Sequence, residues 1–246
     1  MRCMATIDAF SHCLGKAVAS WLLLALYTCM GVSAGEVEQV ESCDEVLVCF
    51  DGESQRLMAQ RLADMACFAH RRFRKLFGIN PGSVRVRMLG SMERWRKVTG
   101  REWYIVATIR DHEILTQPAS SLEKLEYPGR PVVHELAHLF IRQVAGRGCP
   151  KWIDEGLAQW LAGDRKKLYR LPGMKNLMLL EKRQNSPDMD RTRRKMDYDL
   201  SLAMVQKLIE KLGKEVFISS LAQIARDKKP FFTVINGKKI WDLLNK

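Results

Sequence analysis

The sequence predicts an α+β fold, with a small mixed or antiparallel sheet and attendant helices in its first half and a mainly helical second half. Two patterns carry this expectation. Runs of β-branched or alternating character, at 44–50, 84–89, 103–109 and 113–117, all fall before the midpoint of the chain. From Pro131 onward the apolar spacing turns helical. Strands first and helices after argue for segregated α+β rather than alternating βαβ units.

Taken in order, residues 35–43 read as a polar lead-in, and DEVLVCF (44–50) as a strand. In SQRLMAQRLADMACFAHRRFRKLFG (54–78), Leu57, Met58, Leu62, Met65, Ala66, Phe73 and Phe77 recur at helical spacing, with Gly78 as the stop. Asn80-Pro81-Gly82 is a turn, and VRVRML (84–89) alternates as a half-buried strand. A short helix over 91–98 is closed by Gly100. WYIVATI (103–109) and EILTQ (113–117) flank the polar Arg110-Asp111-His112, which is a hairpin pattern. Helices are predicted at 131–145, 150–162, 174–183, 198–212, 214–227 and 238–244, and the polar stretch 184–197 reads as an exposed loop.

The chain has 246 residues, enough for one sizeable domain, and its 47% hydrophobic content argues against wholesale disorder. Forty basic against 28 acidic residues give a formal charge of +12. Such an excess suits nucleic acid, an anionic envelope surface or an acidic substrate equally. No nucleic-acid-binding signature accompanies it, so no nucleic-acid partner is expected. The runs Arg71–Lys75, Arg165–Lys167 and Arg191–Lys195 hold much of the charge.

Residues 17–35 carry no charge and follow Lys16, and Val32-Ser33-Ala34 has the small residues a signal peptidase reads. Residues 1–34 therefore read as a signal peptide, with an uncleaved membrane anchor as the alternative. Residues 35–246 read as one exported domain, periplasmic or secreted, with a strand-rich part to 130 and a helical part from 131. Loss of Arg2, Asp8 and Lys16 with the leader removes a net +1 and leaves +11. Four cysteines then remain, Cys43, Cys49, Cys67 and Cys149, which permit two disulfides or serve as small buried apolar groups.

The stretch RPVVHELAHLFIRQ (130–143) has Pro131 at a helix start and Gly146 at its end. His134 and His138, four apart, leave one helix face only about 40° apart, so both can reach a single ion. Glu135 is placed to act as general base on a water that the ion polarises. Seventeen residues after His138, CPKWIDEGLAQWLAG places Glu155 near the start of a second helix, as a third ligand. Asp154 competes for that role but sits about 100° away around the helix.

His134-Glu135-Leu136-Ala137-His138, followed by Trp152-Ile153-Asp154-Glu155-Gly156-Leu157-Ala158, resembles the peptidase MA-like gluzincin metallopeptidases. The resemblance is strong over 131–163 and weaker outside. It implies a zincin-like fold, one Zn2+ ion between the two halves, and peptide hydrolysis. It extends to YDLSLAMVQKLIEKLG (198–213), where Tyr198, at the start of a helix, would stabilise the oxyanion. Gln159 departs from the pattern, because relatives often carry there an acid that supports a ligand histidine. The expected partner is a peptide or protein substrate, held along an edge strand at 113–117. A non-catalytic exported binding protein that keeps the fold and uses its basic surface is the reading from another class.

Overall fold

Five strands, β1 (Val37–Cys43), β2 (Val46–Asp51), β3 (Val84–Met88), β4 (Ala107–Arg110) and β5 (Glu113–Thr116), form one sheet in the order β1-β2-β3-β5-β4. The computed structural model describes residues 37–43, 45–165, 179–180, 182–184, 190–227 and 233–245. The leader expected at 1–34, the first part of the helix expected at 174–183, and residues 185–189 of the expected loop lie outside the described residues. No described helix is long and apolar enough to cross a membrane.

The stretch expected as a polar lead-in is strand β1, antiparallel to β2 from Val37↔Asp51 to Cys43↔Val46. An edge strand tolerates polar composition, because backbone pairing rather than burial of both faces holds it in place. β2, β3 and β5 run parallel, and β4 returns antiparallel on β5. Parallel neighbours require a crossover, which α1 (Arg56–Phe77) supplies between β2 and β3. The fold is mixed α+β as expected, but this local βαβ unit was not anticipated.

Helix α1 buries Met58, Leu62, Ala66, Phe73 and Phe77 on the sheet, and ends where Gly78 takes φ 67° and donates its N–H to Arg74 O. Leu57 and Met65, counted above with its apolar residues, are exposed. Helix α2 (Met92–Thr99) is capped by Ser91, whose hydroxyl accepts the Arg94 N–H. The β4–β5 hairpin turns through Asp111 (φ 49°) and His112 (φ 66°). Two positive φ angles in a two-residue loop make a turn whose twist matches that of the strands.

After the short α3 (Ala119–Leu122), the chain enters α4 (Arg130–Ala145) and α5 (Lys151–Leu161), then α6 (Arg191–Leu212). α6 begins well inside the expected loop, because Asp190 caps it by accepting the Arg193 N–H. Tyr198 therefore lies two turns inside this helix rather than at its start. The helix expected at 214–227 is two, α7 (Lys214–Ser219) and α8 (Leu221–Arg226), separated at Ser220. A small hairpin, β6 (Val234–Ile235) and β7 (Lys238–Lys239), precedes α9 (Ile240–Asn245).

One hydrophobic core joins the sheet, α1, α4, α5 and α6. Phe140 of α4 meets Phe73 and Phe77 of α1 at ring separations of 5.6 and 5.7 Å. His70 is fully buried and edge-on to Phe140, as a core residue rather than a ligand. α5 and α6 approach closely at Gly156, where a Cβ would fall 2.4 Å from Ser201 O. Cys43 and Cys49 are free thiols on the paired strands β1 and β2, so two disulfides do not form; Cys67 is buried as a small apolar residue.

Candidate metal centre

α4 carries Pro131 in its first turn, where the missing N–H costs nothing, and buries Val132, Val133, Leu136, Ala137, Phe140 and Ile141. Burial of that face turns His134 and His138 toward α5. The loop 146–150 brings α5 back beside α4, with Trp152, Ile153, Leu157 and Ala158 packed into the core. Glu155 thereby faces both imidazoles.

His134, His138 and Glu155 form a cluster whose candidate ligand atoms all lie within 4.8 Å of one another. His134 Nε2 and His138 Nε2 are 3.1 Å apart, and Glu155 Oε2 lies 3.4 Å from the first and 3.8 Å from the second. Tetrahedral zinc, with bonds of about 2.0–2.1 Å, sets its ligand atoms roughly 3.3 Å apart. Two nitrogens and one carboxylate oxygen at these spacings fit such an ion and leave one position open.

Two of the three candidate ligands, His138 and Glu155, are oriented by further contacts. His138 Nδ1 lies 2.5 Å from Asp154 Oδ1, which orients the ring with Nε2 toward the cluster. Lys151 Nζ lies 2.6 Å from Glu155 Oε1 and 3.6 Å from Asp154 Oδ2. Burial opposes ionisation of Glu155, but the His134 hydrogen bond and the charges of His138 and Lys151 hold its carboxyl far below the usual range. Burial likewise opposes ionisation of Asp154, but the His138 hydrogen bond and the charges of His138 and Lys151 together outweigh it, so its pKa is lowered. Burial pulls the Lys151 ammonium down, and Glu155 and Asp154 more than restore it, so its pKa is raised.

Asp154, weighed above as a rival ligand, contacts candidate ligand His138 instead, and Lys151 was missed. The signal for Lys151 is the α5 spacing, since it precedes Asp154 by three residues and Glu155 by four. Gln159 does not reach an imidazole. Its Nε2 donates to Tyr198 O at 3.1 Å and Glu155 O at 3.4 Å, tying α5 to α6.

Glu135 stands beside the cluster. Burial raises its carboxyl to about 7; His134 opposes that rise and Glu155 adds to it. Burial, and then the charge of the Glu155 carboxylate, raise the Tyr198 phenol above its ordinary range. His134, Glu135, Glu155 and Tyr198 line one cleft of about 830 Å³. Its opposite lining comes from 104–109, the approach to β4 and β4 itself. The edge strand at this cleft is β4, not 113–117, because β5 is paired on both sides. A second cavity of about 1080 Å³ adjoins the first through Ile109, Arg142 and Lys151.

The basic runs come together only in part. Arg72 donates to Leu161 O at the end of α5, and its guanidinium is lowered by burial and then by Arg165. Arg191 stacks over Trp103 and Tyr104 at 5.0 and 5.1 Å, away from that pair in sequence and in partners. No family model matches the chain, and no curated protein matches it either.

Proposed function

We propose that this protein is a zinc-dependent peptidase with a zincin-like fold, acting after export from the cytoplasm. The observation that carries the reading is the triangle of His134 Nε2, His138 Nε2 and Glu155 Oε2, with sides of 3.1, 3.4 and 3.8 Å, beside a carboxylate in an open cleft. His134, His138 and Glu155 would hold one Zn2+, which when bound supplies Lewis-acid polarisation of a water and of the scissile carbonyl.

The remaining steps belong to the chain. Glu135 takes a proton from the attacking water and delivers it to the leaving amine, a role served by a carboxyl whose affinity for protons lies near neutrality. Tyr198, protonated through the physiological range, offers its O–H to the developing oxyanion. The free edge of β4 holds an extended segment of substrate by backbone pairing, which positions the carbonyl over the cluster.

Zinc content and hydrolysis of a denatured protein, measured for the wild type and Glu135→Gln, test this reading. The wild type should bind one ion and cleave. The variant should keep the ion and lose about 10²–10⁴ in rate. Stoichiometric zinc without cleavage by the wild type would leave a binding protein instead.

A further inference from the structure

The cleft carries cations beyond those that its own carboxylates neutralise. Lys151 is matched by Glu155 at 2.6 Å, and Arg130 by Asp164 at 2.8 Å. Arg101 and Arg142 line the same cleft in addition. Arg142 is exposed, and no carboxylate among the described residues is within ion-pair distance of it. It borders both adjoining cavities, and its charge is felt at Glu135 and at Lys151.

Its place on α4 sets a distance. Arg142 follows Glu135 by seven residues, which is about 20° around the helix and about 10.5 Å along it. An extended peptide advances about 3.3 Å per residue. A group bound at Arg142 is therefore two or three residues from the bond that Glu135 serves. A guanidinium in a half-enclosed cleft, with its fork of donors unpaired, matches a carboxylate bidentately.

Resting on the peptidase reading, we propose that Arg142 is a specificity-determining residue that binds a substrate carboxylate two or three residues from the scissile bond, with Arg101 adding to the attraction. The carboxylate is either an Asp or Glu side chain or the peptide's own C-terminus. Acidic peptides are thus the favoured substrate class, in keeping with the chain's formal charge of +12.

The test uses the zinc-loaded full chain and labelled peptides of one sequence, with Glu or Gln at the flanking positions and a free or amidated C-terminus. The wild type should show kcat/KM at least tenfold higher for the carboxylate-bearing peptide, chiefly through KM. In Arg142→Gln that ratio should fall at least fivefold, and Arg142→Lys should recover part of it. The preference should shrink with added salt. Sensitivity to Glu→Gln assigns the carboxylate to a side chain; sensitivity to amidation assigns it to the C-terminus. Equal rates for all peptides, or a ratio unchanged in Arg142→Gln, overturn the proposal while hydrolysis stands. Where no peptide is cleaved, fluorescence anisotropy of the same peptides gives the answer. Tighter binding of the carboxylate peptide, lost in Arg142→Gln, supports the carboxylate site and removes only the peptidase reading. Indifference overturns the site as well.

Discussion

Asp154 Oδ1 accepts the Nδ1 proton of His138 across 2.5 Å, between two helices whose other contacts are mainly apolar. An anionic acceptor raises the basicity of the ligand ring and fixes its orientation. Asp154→Asn should therefore weaken zinc binding by about 10–100-fold without unfolding the protein. Competitive titration against a zinc chelator, with circular dichroism as the folding control, measures this. Unchanged affinity would mean that Asp154 serves packing alone.

Lys151 acts on Glu155, the carboxylate of the proposed ligand set. Its ammonium, 2.6 Å from Glu155 Oε1, holds the carboxylate so that Oε2 faces the imidazoles. Lys151→Met retains the aliphatic stem and removes the charge. Zinc affinity should fall about tenfold, within the range of such supporting contacts. The same titration decides it, and an affinity equal to that of the wild type would contradict the assignment.

Much of this site is legible in the residues themselves, and the reason is local. His134, Glu135 and His138 share one helix, so 3.6-residue geometry alone places them together. Glu155 depends on the return of α5 beside α4, which the short loop 146–150 makes easy to foresee. The support from Asp154 is not legible, because facing α4 and facing solvent are equally compatible with the sequence. Position 159 misled for the same reason, since its side chain turns to the Tyr198 carbonyl of a helix far along the chain.

The fold divides in the same way. The β4–β5 hairpin and the caps at Ser91, Gly78 and Gly100 are short-range features, and their residues announce them. β1 is a strand because β2 offers it an edge, and its own sequence lacks the β-branched run that would say so. The order β3-β5-β4, which decides which strand meets substrate, is long-range as well. The β6–β7 hairpin was there to be found: Asn236 (φ 49°) and Gly237 (φ 74°) are the residue pair that favours such a turn.

Gly156 adjoins Glu155 and sets the spacing of α5 and α6. An alanine there gains about 1 kcal/mol in helix propensity but meets Ser201 O at 2.4 Å and Val205 Cγ2 at 2.9 Å. A backbone oxygen cannot swing aside, so the clash prevails. Gly156→Ala should lower stability by about 1–3 kcal/mol and displace Glu155 from the histidines. Urea denaturation reads the first effect and zinc affinity the second. A more stable variant would refute the close packing.

Acid should compete with the ion for its site. Holding an ion requires neutral imidazoles and an ionised carboxylate. Burial opposes ionisation of Glu155, yet its partners hold the carboxyl far below the usual range, so it does not take up a proton in mild acid. Zinc affinity should fall with acidification, with protons taken up as the ion is released. Isothermal calorimetry in buffers of different ionisation enthalpy detects them. Release without proton uptake would contradict this ligand set.

Tyr198 separates catalysis from binding. Tyr198→Phe removes the O–H, and kcat should drop about a hundredfold while zinc content and KM hold steady. A fall in zinc content instead would assign the hydroxyl to supporting Glu155, whose charge it feels.

The central claim is tested most directly by anomalous diffraction at the zinc edge from crystals of the zinc-loaded protein. The account predicts one peak within about 2.0–2.2 Å of His134 Nε2, His138 Nε2 and Glu155 Oε2, with a fourth side open to the cleft. A peak elsewhere, or none at that triangle in a fully loaded crystal, would contradict it.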